Sequence, residues 1–123
     1  MTRPWWRRSL RSFRFAGAGI VATFRGGPNA CIQLVVGILS CIVGAWLGLN
    51  QVEWAILILT IASVLSLEAV NTAVESAVDL ASPDLHPTAK RAKDLAAGAV
   101  LIAVLASVCV GLVLFVPKLL ARF

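Results

Sequence analysis

Acidic residues are scarce in this chain: Asp and Glu together number 6 among 123 residues, and positions 1–52 hold none. Charged residues of both signs make up 14%, against about a quarter in soluble domains, and 59% of the chain is hydrophobic, with a mean hydropathy of +0.90. So little charge excludes an ordinary water-soluble domain. A Gly-rich phosphate loop and the Walker and protein-kinase signatures are also lacking, which excludes the usual nucleotide-binding folds. Cys31, Cys41 and Cys109 fall inside apolar runs without metal-ligand spacing, as small hydrophobes do. The first apolar run lies too far from the N-terminus, and lacks the small-residue cleavage site, for a removable signal peptide. No nucleic-acid-binding motif accompanies the basic balance, so a nucleic-acid partner is not expected.

Long apolar runs are what the chain does have. "ACIQLVVGILSCIVGAWLGL" covers 30–49, "WAILILTIASVLSL" begins at Trp54, and "AAGAVLIAVLASVCVGLVLFV" covers 96–116. Each supplies roughly 20 residues, enough to cross about 30 Å of hydrocarbon. The expected fold is an all-α membrane protein in one domain, 1–123. An interfacial helix is expected over 5–26, and membrane-spanning helices over 30–49, 54–80 and 88–116, the second extended into the cytoplasm.

Basic residues orient these spans. Arg3, Arg7, Arg8, Arg11, Arg14 and Arg25 precede the first, and Lys90, Arg91 and Lys93 lie between the second and third. The link "GLNQVE" between the first two has no Lys or Arg. The positive-inside rule then puts the N-terminus and the second connection in the cytoplasm and the C-terminus outside. In the arm "PWWRRSLRSFRFAGAGIVATFR", Arg7, Arg11 and Arg14 share a helical face, with Trp5 and Trp6 as interfacial anchors. Pro4 suits the opening of that helix and Gly26-Gly27-Pro28 its end. Ala92, Ala96, Ala99, Ala103 and Ala106 recur along the third span at a spacing that favours close helix contact.

The acids that remain are concentrated in "SLEAVNTAVESAVDL", 66–80. At about 100° per residue, Glu68, Asn71, Glu75 and Asp79 fall at roughly 0°, 300°, 340° and 20°, in one narrow stripe. Ionised carboxylates in hydrocarbon cost several kcal/mol each, so they face protein or a wet cavity and mark function. The following "SPDLHPTAKRAKD" ends one helix at Pro83 and Pro87 and starts another, with Thr88 as the expected cap. Carboxylates beside Lys and Arg at such a mouth suit a divalent cation and phosphates. Spacing alone leaves a phosphoryl-transfer enzyme level with a small transporter whose ion site is Glu68 and Glu75.

"EAVNTAVESAVD" (68–79), "SPDLHPTAKRAKDLAAGAVL" (82–101), "SFRFAGAG" (12–19) and "LGLNQVEW" (47–54) resemble the prokaryotic diacylglycerol kinase and undecaprenol kinase family of small integral membrane lipid kinases. "SPDLHP" and "LFVPKL" are more similar to the Gram-positive undecaprenol kinase branch. The resemblance implies a homotrimer in the bacterial inner membrane, with active sites shared between neighbours. It also implies Mg²⁺-dependent transfer of the ATP γ-phosphoryl group to the hydroxyl of undecaprenol or diacylglycerol. Glu68 then corresponds to the catalytic base and Glu75 to a Mg²⁺ ligand. Asn71 belongs with the acceptor, and Glu75, Asp79, Asp84, Leu85, His86, Lys93 and Asp94 with ATP. Arg8 corresponds to a phosphate-contacting residue, and Trp46 and Trp54 to positions near the acceptor.

The chain departs from the family pattern at two positions. Gly27 stands where relatives carry a second metal-ligating Glu, and Phe15 where many carry Tyr. Either Glu75 holds the metal with ATP oxygens and waters, or the chain is a catalytically impaired homologue. A non-catalytic membrane subunit would also account for Gly27.

Overall fold

The computed structural model describes residues 2 and 4–123, all of whose regular structure is helical. Arg3, counted above with the basic arm, lies outside the described residues. The helices are α1 (Trp5–Arg25), α2 (Pro28–Leu47), α3 (Gln51–Ala81) and α4 (Pro87–Arg122). Of these, α2, α3 and α4 are long and apolar enough to cross a membrane.

Backbone chemistry at the links sets the helix ends. Gly26 closes α1 by donating its N–H to Ala22 O at 2.9 Å, and Pro28, lacking an N–H, opens α2. Gly48, at φ 75°, takes the left-handed conformation that ends α2, a position glycine occupies without a Cβ penalty. Asn50 Oδ1 then accepts from the Glu53 N–H at 2.9 Å, so α3 begins at Gln51 rather than at the expected 54.

The cap of α4 also differs from the sequence expectation. His86 is the N-cap: its Nδ1 accepts from the Thr88 N–H at 3.1 Å, so Thr88 is the donor in that bond and not the cap. At the other end α4 runs through Pro117 to Arg122, beyond the expected end at 116. Two contacts hold this last segment against the α2–α3 turn. Lys118 Nζ pairs with Glu53 Oε1 at 3.3 Å, and Arg122 Nη1 donates to Trp46 O at 2.9 Å.

The helices pack by close approach more than by a large core. The main contact is α3 on α4, followed by α2 on α3, around buried Leu49, Leu57 and Leu114. Gly37 lets α2 come close to α3, since a Cβ there would sit 3.0 Å from Ile61 Cγ2. Gly44 makes room for Leu49 of the following turn, whose Cδ1 would be 2.8 Å from a Cβ, and for Trp54 at 3.4 Å. Along α4, Ala92, Ala96, Ala99 and Ala103 are half-buried, but Ala106 is exposed. The alanine spacing drifts off the packed side there, because 3.6 residues per turn and a 4-3-4-3 repeat do not stay in phase on a straight helix. Most large apolar side chains of the spans point outward, as a helix surrounded by lipid or by other copies requires.

Candidate active site

At 1.5 Å per residue, the 31 residues of α3 extend about 46 Å, well beyond a hydrocarbon layer of about 30 Å. The acid stripe occupies the half of α3 nearer Ala81, and the elements around it form two hollows.

The first hollow, about 220 Å³, lies where α1 joins α2. It is lined by Thr23, Gly26, Gly27, Pro28, Asn29, Ala30, Glu68, Asn71, Thr72 and Glu75. Glu68 forms its inner side and is only 8% exposed, the one buried charged residue among those described. Its Oε2 accepts from Gln33 Nε2 on α2 at 3.2 Å. One turn on, Asn71 Nδ2 donates to Glu75 Oε1 at 3.3 Å. Asn71 Oδ1 and Gln33 Oε1 are buried without a hydrogen-bond partner. The unpartnered Asn71 oxygen beside the carboxylates of Glu68 and Glu75 makes this hollow rich in acceptors, the chemistry that receives protons and hard cations.

The second hollow, about 480 Å³, opens at the α3–α4 connection and includes Asp79, Asp84, Leu85, His86, Lys90 and Lys93. Lys93 pairs with Asp79 across the two helices. Lys90 pairs instead with Asp94 along α4, at 2.6 Å. The connection is held by Ser82 Oγ donating to Asp84 O at 2.9 Å and by the His86 cap, while Leu85 projects fully into the surroundings. Glu75 and Asp79 are one helical turn apart, so the two hollows follow one another along α3.

Several site residues expected from the sequence thus come together, and others do not. Glu68, Asn71 and Glu75 share the first hollow, and Asp79, Asp84, Leu85, His86 and Lys93 the second. Asp94 sits beside the second, tied to Lys90. Arg8 lies 17 residues before Arg25 along α1, about 26 Å, and makes no ion pair among the described residues. Trp46 and Trp54 lie at the opposite end of the bundle. Trp54 precedes Glu68 by 14 residues on α3, about 21 Å, and packs against the core, while the Arg122 guanidinium stacks 4.3 Å from the Trp46 ring centroid.

Gln33 is the residue that sequence reasoning missed. A signal for it exists, since it is the one amide within the apolar run 30–49, where any polar side chain is a candidate for function. Its partner is 35 positions away, so helical periodicity could not connect the two.

Comparison with known proteins bears on this arrangement. Residues 14–115 match the family model described as prokaryotic diacylglycerol kinase. The undecaprenol kinase of Bacillus subtilis is 42% identical over 112 residues, which cover 91% of each chain. A diacylglycerol kinase of Synechocystis is 43% identical over 113 residues, 91% of this chain and 65% of that one. The diacylglycerol kinase of Escherichia coli K12 is 31% identical over 101 residues, 82% of this chain and 83% of its own. With matches over most of its length, and an acid-lined hollow followed along α3 by one that adds lysines, the chain belongs to the prokaryotic diacylglycerol kinase family of lipid kinases.

Proposed function

We propose that this chain transfers the γ-phosphoryl group of ATP to the hydroxyl of a membrane lipid alcohol, undecaprenol or diacylglycerol, with Glu68 as the general base. The observation that carries the reading is Glu68 itself: a buried carboxylate on a helix long enough to span the membrane, hydrogen-bonded on one oxygen and opening on a polar hollow that also contains Glu75. A buried acid at that depth is well placed to meet a hydroxyl arriving from the bilayer.

In this reading the acceptor's O–H proton passes to Glu68 and its oxygen forms a bond to the γ-phosphorus. The bond from that phosphorus to the β,γ-bridging oxygen breaks, and ADP leaves with the electron pair. Little covalent work falls to the protein, so positioning and charge neutralisation supply most of the rate. The second hollow takes the nucleotide, with Lys93 toward the phosphates and Asp79, Asp84, Leu85, His86 and Asp94 around it. Asn71 lies on the acceptor side. Trp46 and Trp54 are too far along the bundle to meet the hydroxyl, but lie at a depth where a long hydrocarbon chain passes.

The residues present suit a sparsely coordinated Mg²⁺. Glu75 Oε1 and the unpartnered Asn71 Oδ1 belong to side chains already in contact, and Mg²⁺ is usually held by one or two carboxylates, with waters and substrate phosphates completing the set. When bound, the ion would neutralise charge on the transferring phosphoryl group. The second reading, a catalytically impaired homologue, rests on Gly27, which brings no side-chain ligand to this hollow.

The assembly proposed with this function is a homotrimer of single-domain chains in the bacterial inner membrane. The N-terminus and active site would be cytoplasmic, the C-terminus outside, and α1 would lie amphipathically in the headgroup layer. In this assembly the active sites would be shared between neighbours, as the family resemblance implies. The test is phosphate transfer from labelled ATP by purified protein with Mg²⁺ in lipid micelles, offering undecaprenol and diacylglycerol in parallel. Transfer should occur to at least one lipid and fall on the order of a hundredfold or more in Glu68→Gln. Near-wild-type turnover in that variant would remove Glu68 from the role of base.

A further inference from the structure

We infer that Gln33 is a positioning residue for the base: its amide holds one oxygen of Glu68 so that the other faces the acceptor. This rests on the kinase reading above and extends it to α2.

Gln33 stands at the junction of two cavities of opposite character. On one side is the polar hollow containing Glu68 and Glu75. On the other is an apolar groove of about 290 Å³ between α2, α3 and α4, which passes from Gln33 along Gly37, Ile61 and Val104 to Phe115. Gln33 lines this groove and reaches Glu68, which lines the other hollow. It is therefore the contact through which the apolar space meets the base.

The direction of the hydrogen bond gives the amide its role. Gln33 Nε2 donates to Glu68 Oε2 at 3.2 Å, and an ionised carboxylate is an acceptor only. A carboxylate that is 8% exposed has lost most of its hydration, and an amide N–H directed at one oxygen replaces part of it. The bond also restricts rotation of the carboxyl group, leaving Oε1 to take the acceptor's proton while Oε2 keeps the amide. The same bond persists when Oε1 is protonated, so Gln33 need not move during turnover. Gly37, one turn above Gln33, keeps α2 close enough to α3 for the side chain to reach.

Gln33→Met tests this with little change of shape: it keeps an unbranched side chain of similar length and removes the donor. Gln33→His restores an N–H at similar reach. Both are compared with wild type for kcat, for KM toward ATP and toward the lipid alcohol, and for thermal stability in the same micelles. The expected result is a fall in kcat of about tenfold to a hundredfold in Gln33→Met. KM for ATP should stay within about twofold, and Gln33→His should recover much of the lost kcat. In a Glu68→Gln background, Gln33→Met should cost little more, because the two residues act as a unit. Active wild type with an unchanged kcat in Gln33→Met would overturn the inference alone. A loss in Gln33→His equal to that in Gln33→Met would do the same, since a restored donor would then have no effect. A wild type that phosphorylates neither lipid would overturn the kinase reading and this inference with it.

Discussion

Gly27 and Glu75 line the same hollow, and a Cβ placed on Gly27 would meet nothing within 4 Å. The family resemblance implies a metal-ligating Glu at this position, and a carboxylate placed there would enter open space beside Glu75. The backbone is no obstacle to a side chain, because φ 168° and ψ 172° describe extended chain that any residue adopts.

Gly27→Glu should therefore be accepted without loss of folding and should strengthen Mg²⁺ dependence. The expected outcome is a severalfold fall in the Mg²⁺ concentration giving half-maximal transfer, with kcat raised or unchanged. A titration of activity against Mg²⁺ at saturating ATP measures it. If the curve does not move, Glu75 and Asn71 hold the ion without need of position 27. If wild type is inactive and the variant active, the impaired-homologue reading is the correct one.

Lys93 and Asp79 offer a different separation, between stability and binding. Their side chains are 40% and 65% exposed, so the ion pair between them is solvent-screened and contributes on the order of 1 kcal/mol or less to stability. Lys93→Ala should leave thermal unfolding in micelles almost unchanged while raising KM for ATP about tenfold, as expected when a phosphate loses a cationic partner. A large drop in melting temperature with KM unchanged would make Lys93 a strut between α3 and α4 instead.

What the sequence made legible follows the physics of each signal. The acid stripe was readable because four residues on one helix obey one angular rule, and Glu68, Asn71 and Glu75 do line one hollow. The three spans were readable from length and hydropathy. Contacts between distant segments left no such trace. The Gln33–Glu68 bond joins α2 to α3, and Arg122 meets Trp46 across 76 positions. Caps were readable by residue type but not by register. Asn50 was not singled out, and His86 displaced Thr88 because Pro87 takes the first helical position and leaves the residue before it as the cap.

The far end of the bundle supplies the last prediction. Trp46 was expected near the acceptor, yet Arg122 stacks on its ring and donates to its carbonyl, and one turn earlier on α4 Lys118 pairs with Glu53. Glu53 and Lys118 are 18% and 31% exposed, so this pair is better shielded than the one between Lys93 and Asp79. Together these contacts bind the end of α4 to the α2–α3 turn, past a proline that cannot donate the usual helical hydrogen bond. A cation over an indole contributes about 0.5–2 kcal/mol. Arg122→Ala should thus lower stability by roughly that amount, measured by thermal or denaturant unfolding in micelles, and leave kcat and both KM values near wild type. Trp46→Ala separates the two uses of the ring. A stability loss matching that of Arg122→Ala, with KM for the lipid alcohol unchanged, makes Trp46 part of the clasp alone. A rise in that KM beyond the effect of Arg122→Ala shows that the ring also touches the acceptor's hydrocarbon chain, about 20 Å along α2 from Gln33, the partner of the base.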